Sequence, residues 1–257
     1  MNKQEIIERI QKMAVKLLAT SPAGEGLCLI GGFRYRLLDQ SCRRSVDLDY
    51  HWAGDLIQKQ EQIIALFKSK LLPLIKSDVN YAGDVQAAGG PDADSETTKT
   101  INLVVYQNAT SQSRVEIPID ITNIVCLDRP IVRTVAGTVY LSASDADMVE
   151  SKVLALINRI YPAQRDIVDI FLFQDKLAVN SAERLREKMK KMELGEVTVR
   201  HSLEQMCANR QRHIRTIDEI IKEQMDRPAA EHITQAGGGL MVFDRVMTLL
   251  TKILGLS

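Results

Sequence analysis

Between residues 3 and 19, Ile6, Ile10, Met13, Ala14, Leu17 and Leu18 recur at helical spacing, which predicts an amphipathic helix broken by Ser21-Pro22-Ala23-Gly24. The pattern then shortens. Residues 27–30 form an apolar run that stops at Gly31-Gly32, which reads as a strand, a glycine turn and a short helix ending before Ser41. Residues 46–52 alternate in polarity and predict a second strand. Residues 56–72 return to helical spacing, with Ile63, Ile64, Leu66, Phe67 and Leu71 available for a buried face, until Pro73 ends or kinks the helix. Residues 89–95 are polar and turn-rich and predict a mobile loop, and strands are expected at 100–106 and 115–122.

From Ser144 onward β-branched runs thin out and helical periodicity dominates. Ser144 or Asp145 is placed to cap the first of these helices. Helices are expected at 148–159, 164–176, 181–192, 197–225 and 240–254, with Gly237-Gly238-Gly239 as a flexible connection before the last. That glycine run lacks the preceding strand that a dinucleotide-binding loop needs. The expected organisation is a mixed α/β domain over residues 1–143 followed by a helical domain over 144–257.

Composition narrows this picture only a little. Lys plus Arg and Asp plus Glu are equal at 33 each in 257 residues, so no global charge points to nucleic acid, although a local basic patch is still open. The four cysteines, Cys28, Cys42, Cys126 and Cys207, are too far apart for a zinc pattern. The charged, amphipathic opening does not read as a secretory signal, and no apolar run has the length of a membrane span. The expectation is a reduced, cytoplasmic protein without a membrane partner.

The informative chemistry lies in Gly31-Gly32 and in Arg44-Ser45-Val46-Asp47-Leu48-Asp49. Residues two apart on a strand share a face, so Asp47 and Asp49 are expected to project together. Adjacent carboxylates repel, and a divalent cation, arginines or a proton must compensate. Mg²⁺ (or Mn²⁺) accepts one or two carboxylates together with phosphates and water, and a glycine turn lets backbone approach a phosphate. On the strand at 115–122, Glu116, Pro118 and Asp120 share one face, although Pro118 is also compatible with an exposed edge strand.

The stretch Gly31-Gly32-Phe33…Arg43-Arg44-Ser45-Val46-Asp47-Leu48-Asp49-Tyr50 resembles the first motif of the AbiEii/AbiGii-type nucleotidyltransferases, toxins of bacterial toxin–antitoxin systems within the polymerase-β-like superfamily. The resemblance continues from Val149 through Lys152 and the Arg165-Asp166-x-x-Asp169 signature, and so spans roughly residues 25–175. It implies an α/β (α+β) nucleotidyltransferase core with a small mixed sheet, followed by a C-terminal helical bundle. It also implies Mg²⁺ or Mn²⁺ on Asp47, Asp49 and Asp120, with Glu116 as the reserve for the third position. Asp47, Asp49, Asp120, Lys152 and Asp166 are then catalytic, and Gly31, Gly32, Arg44, Ser45 and Lys152 bind the nucleotide. Asp169 competes with Asp166, one of the two being structural through Arg159 or Arg165. Arg43 and Arg44 are otherwise read as balancing the carboxylates.

Two departures stand out. Phe33 replaces a hydroxyl residue that relatives place against phosphate, and Pro118 replaces a lysine. The implied reaction transfers a nucleoside monophosphate from an NTP to an acceptor, an RNA such as tRNA being the leading candidate, with a protein antitoxin as partner. The alternatives are transfer to a small molecule or a protein, and a catalytically degenerate binding module. The basic residues Arg184, Arg186, Lys188, Lys190, Lys191, Arg200, Arg210, Arg212 and Arg215 read either as a track for RNA or as a solvated face interleaved with Glu183, Glu187 and Glu193.

Overall fold

A computed structural model describes residues 2–89, 97–107, 114–159 and 163–255. The loop expected at 89–95 lies outside these apart from Gly89. The chain forms two compact units, neither continuous in sequence: Met1–Ser41, Ser45–Ile124 and Pro130–Ala143 make one, and Cys42–Arg44, Val125–Arg129 and Ser144–Ser257 the other.

The first is the sheet unit. Its elements are α1 (Lys3–Ala19), β1 (Cys28–Ile30), α2 (Gly31–Leu38), β2 (Leu48–His51), α3 (Leu56–Leu66), α4 (Leu72–Val79), β3 (Ala82–Ala87), β4 (Thr98–Tyr106), β5 (Val115–Thr122), β6 (Ile131–Val135) and β7 (Thr138–Ser142). The seven strands form one sheet in the order β3-β4-β5-β2-β1-β7-β6. It is mixed: β2 runs parallel to β5 and β1 parallel to β7, while the other neighbours are antiparallel. The alternation of β5 puts Ile117, Ile119 and Ile121 in the core with Ile101, Leu103 and Val105 of β4, where Ile10, Ala14, Ile63 and Phe67 from the helices join them. Asn2 and Glu5 form a reciprocal capping box at the start of α1.

Several expectations change here. Gly31 and Gly32 are the first turn of α2, not a turn ahead of it. β2 begins at Leu48, so Asp47 precedes the strand. The helix after residue 56 continues past Pro73: a five-residue π turn, Phe67–Leu71, absorbs the disruption, and α4 starts with proline in its first turn, where the missing N–H costs nothing. Pro118 is not on an edge strand, because β5 lies between β4 and β2. The β2 ladder starts only at Ile119, so at Pro118 the strand is paired on one side, with Asn102.

The second, helical unit contains α5 (Asp145–Asn158), α6 (Gln164–Phe173), α7 (Ser181–Lys191), α8 (Glu196–Ala208), α9 (Arg210–Gln224), α10 (Arg227–Gln235) and α11 (Gly238–Leu254) around a core that includes Leu156, Val168, Ile170, Leu185, Met206, Ile217, Val242 and Leu250. The single helix expected at 197–225 is two, parted at Asn209, whose side-chain amide donates to the Gln205 carbonyl at 2.8 Å. The glycines at 237–239 are not a flexible connection. Gly238 and Gly239 open α11, the Asp218 carboxylate accepts the Gly239 N–H at 2.6 Å, and a Cβ on Gly239 would lie 2.5 Å from the Ile214 carbonyl oxygen. Among the described residues no helix is long and apolar enough to cross a membrane.

Two earlier stretches of chain are built into this unit. Residues 42–44 pair antiparallel with 224–226, through the Arg44 N–H to the Gln224 carbonyl at 2.7 Å and the Asp226 N–H to the Cys42 carbonyl at 2.8 Å. Residues 125–129 are held by Asp147, whose carboxylate accepts the N–H groups of Leu127 (3.0 Å) and Asp128 (2.9 Å). Asp147 and Glu150 are fully buried, and so is the Lys188 ammonium that joins them at 2.6 and 2.8 Å. Arg184 adds ion pairs to Asp128, Asp147 and Glu150. The basic face expected on α7 is thus partly internal: Lys188 and Arg184 neutralise buried carboxylates.

Burial by itself raises the pKa of Asp147, but the Lys188 ammonium and the Leu127 and Asp128 amides outweigh it and hold the carboxyl below its ordinary value. A depressed folded-state pKa contributes stability above the unfolded pKa of about 3.9 and loses it as pH falls through the folded value. Denaturant midpoints are therefore expected to drop on acidification below about pH 4, and less steeply in Asp147→Asn. Lys188→Ala, which leaves two buried carboxylates short of a cation, is expected to cost about 3–5 kcal/mol in urea unfolding at pH 7.

Candidate active site

The site grows from the end of β1. Ile30 is extended, and Gly31 then turns into α2 with φ +75°, a left-handed conformation that favours glycine. A Cβ on Gly31 would lie 1.8 Å from Oδ2 of Asp49, so the carboxylate occupies the space a side chain would fill. Asp49 is the register partner of Ile30 on β1 and of Asp120 on β5. The two carboxylates therefore sit side by side on neighbouring parallel strands at the first turn of α2. Arg34, fully buried, fastens this short helix by donating to the Ser142 hydroxyl at 2.9 Å and pairing with Asp39.

Asp120 and Asp47 are each oriented by a hydroxyl. The Thr100 hydroxyl donates to Asp120 Oδ1 at 2.6 Å, and the Ser45 hydroxyl donates to Asp47 Oδ1. Gln11, fully buried on α1, donates from Nε2 to the Asp47 carbonyl at 3.0 Å, fixing the backbone just before β2. Glu116, the reserve for the third position, is exposed and paired with Arg114 at 2.6 Å, while Asp120 holds the place beside Asp49. Phe33 is fully buried in the core, which accounts for an apolar residue there.

The second set of predicted residues gathers in the helical unit. The Lys152 ammonium lies 2.8 Å from Asp166 and 3.5 Å from Asp169, and Arg159 also reaches Asp166 at 2.8 Å. Arg159, expected on the structural member of the pair, is on Asp166, while Asp169 takes a different arginine. Asp169 is 1% exposed and receives the Arg43 guanidinium in a two-point contact at 2.6 and 2.8 Å. Arg44 pairs with Asp226 at 3.3 Å. The structure thus groups Gly31, Gly32, Ser45, Asp47, Asp49 and Asp120 in the sheet unit, and Arg44, Lys152 and Asp166 in the helical one.

Sequence reasoning missed Gln11 and Thr100. Gln11 left a signal, since it is a polar residue on the buried stripe of α1 beside Ile7, Ile10 and Ala14. Thr100 left none, because its meeting with Asp120 depends on strand register.

Among the described residues no three His, Cys, Asp or Glu side chains converge into a ready-made metal cage. The donors nevertheless suit Mg²⁺, which takes one or two carboxylates and completes its shell with substrate phosphate and water.

No protein-family model matches the chain, and no curated protein matches it in sequence. Solved structures do. JHP933 from Helicobacter pylori superposes with a TM-score of 0.56 at 16% identity, over 100% of this chain and 95% of its own. A Helicobacter pylori protein assigned provisionally as a nucleotidyltransferase gives 0.56 at 16% identity, over 100% and 99%. MenT4, a nucleotidyltransferase toxin from Mycobacterium tuberculosis, gives 0.50 at 15% identity, over 69% of this chain and 60% of its own. The chain has the mixed α/β architecture of nucleotidyltransferase-fold proteins, and at these identities the likeness is one of fold.

Gly31→Ala is expected to cost more than backbone strain alone. Gly137 has the same φ of +75° with nothing within 4 Å of its would-be Cβ, so Gly137→Ala measures the strain by itself. In paired urea titrations Gly31→Ala should lose roughly 1–3 kcal/mol more than Gly137→Ala. Equal losses would mean that Asp49 yields freely.

Proposed function

We propose that the protein is a metal-dependent nucleotidyltransferase that moves a nucleoside monophosphate from an NTP to an acceptor hydroxyl. The observation that carries this reading is the register match of Asp49 with Asp120, with Asp49 seated against Gly31. Asp47 and Asp49 would hold Mg²⁺ or Mn²⁺, with Asp120 completing the set. A metal bound there supplies charge against the triphosphate and stabilises the departing pyrophosphate.

The remaining work falls to the chain itself. The acceptor oxygen forms a bond to the α-phosphorus as the bond from that phosphorus to the bridging oxygen of the β-phosphate breaks. Asp120, held by Thr100, takes the acceptor proton. Gln11 and Ser45 fix the backbone and carboxylate of Asp47, so the acids need little reorganisation when charge develops. The Ser45 hydroxyl serves Asp47 in this arrangement, and its role at the nucleotide is indirect. Family resemblance assigns Lys152 to the triphosphate and Asp166 to orienting it, and the 2.8 Å ion pair between them supports the orienting half of that assignment.

The wider role rests on the same resemblance and on the fold shared with MenT4, itself a toxin. We assign an RNA acceptor, tRNA by class, and a toxin activity opposed by a protein antitoxin. The test incubates the purified protein with each labelled NTP, Mg²⁺ and total bacterial RNA, beside Asp47→Asn/Asp49→Asn. Label entering RNA with the wild type and falling at least a hundredfold in the variant is the expected outcome, on the order of one lost electrostatic group. Label on protein or a small molecule would replace the RNA acceptor. Absence of both transfer and NTP binding would overturn the enzyme reading in favour of a binding module.

A further inference from the structure

A cavity of about 510 Å³ lies in the sheet unit between the C-terminal end of α1 and strands β1, β2 and β7, walled by Val15, Leu18, Leu29, Tyr50, Tyr140 and Leu141. Small-molecule sites are commonly of this size, roughly 300–1,000 Å³, and largely apolar with a few placed polar groups. Most of the polar side chains around it are already engaged. The Thr20 hydroxyl donates to the Lys16 carbonyl at 2.9 Å, the Ser21 hydroxyl to the Leu18 carbonyl at 3.2 Å, and Tyr140 hydrogen-bonds with Thr138.

Tyr50 is different. It is 4% exposed, lines the cavity, and its hydroxyl has no hydrogen-bond partner among the described residues. A hydroxyl that lines a cavity without a protein partner is free to hydrogen-bond a ligand atom there. A phenolic hydroxyl can donate as well as accept, so Tyr50 offers a donor to the cavity. Glu25, exposed, is the single charged residue of the lining, and its sign disfavours anions.

We propose that this cavity binds a small uncharged molecule with an apolar, ring-sized body and one oxygen that accepts a hydrogen bond from Tyr50. Its position gives it a route to the carboxylates. Leu29 and Tyr50 are register partners across β1 and β2, and the next residues, Ile30 and Asp49, are partners too. Side chains alternate along a strand, so the ligand sits on the sheet face opposite Asp49 and presses on the same two strands.

The test uses the full chain and needs no catalytic assay, so it stands or falls independently of nucleotidyl transfer. The probe is 6-propionyl-2-(dimethylamino)naphthalene, a neutral fluorophore whose ketone accepts a hydrogen bond and whose emission reports polarity. Saturable one-to-one binding with blue-shifted emission is expected. Tyr50→Phe should weaken it by about three- to tenfold, the worth of one hydrogen bond. Val139→Trp, at an exposed position on the rim, should weaken it without endangering the fold, and circular dichroism checks both variants. Absence of saturation, or affinities unchanged in Val139→Trp and in a folded Tyr50→Phe, would overturn the proposal.

Discussion

A missing methyl group at Gly31 governs the arrangement of the sheet unit's acidic end. The carboxylate of Asp49 lies where a Cβ would be, and the left-handed turn that makes room for it also starts α2. Because Asp49 is paired on both sides, its position passes to Ile30 and to Asp120 through ladder hydrogen bonds. Arg34 then fixes the helix itself to β7 through Ser142. Two carboxylates on adjacent strands are thus placed next to one another by backbone register.

The parts of this design that a reader could see in the sequence are those with local causes. The stripe of α1, the apolar runs of β4 and β5 and the acidic alternation around Asp49 each carry their own periodicity. What escaped had weak or distant causes. β3 buries a single side chain, Val85, so its alternation is nearly silent, and α10 buries only Ile233. Gly238 and Gly239 looked like a hinge because close packing against Ile214 and Asp218 is a tertiary fact. Pro118 looked like an edge residue because strand order cannot be read from one strand.

The acidic pair Asp166 and Asp169 shows the same limit in the site. Their spacing puts both on one helical face, and nothing local separates them. The difference comes from Arg43, which lies 126 positions earlier and holds Asp169 in a buried ion pair. Asp166 keeps Lys152 and Arg159 as its partners. Gln11 belongs with this group too, since its polarity was visible but its target, the Asp47 carbonyl, was not.

The segments at 42–44 and 125–129 have a consequence for how the molecule is made. Both leave the ribosome before the segments they join: residues 125–129 wait for α5 and α7, and residues 42–44 wait much longer, for α6 and residues 224–226. Arg43 has no Asp169 to meet, and the Leu127 and Asp128 amides have no Asp147, until later synthesis supplies them. A fragment opening at Ser144 would keep Lys188 and Arg184 on Asp147 but lose its Leu127 and Asp128 amides, and would leave Asp169 without Arg43. A cut near residue 143 would therefore separate the helical unit from two of its own segments.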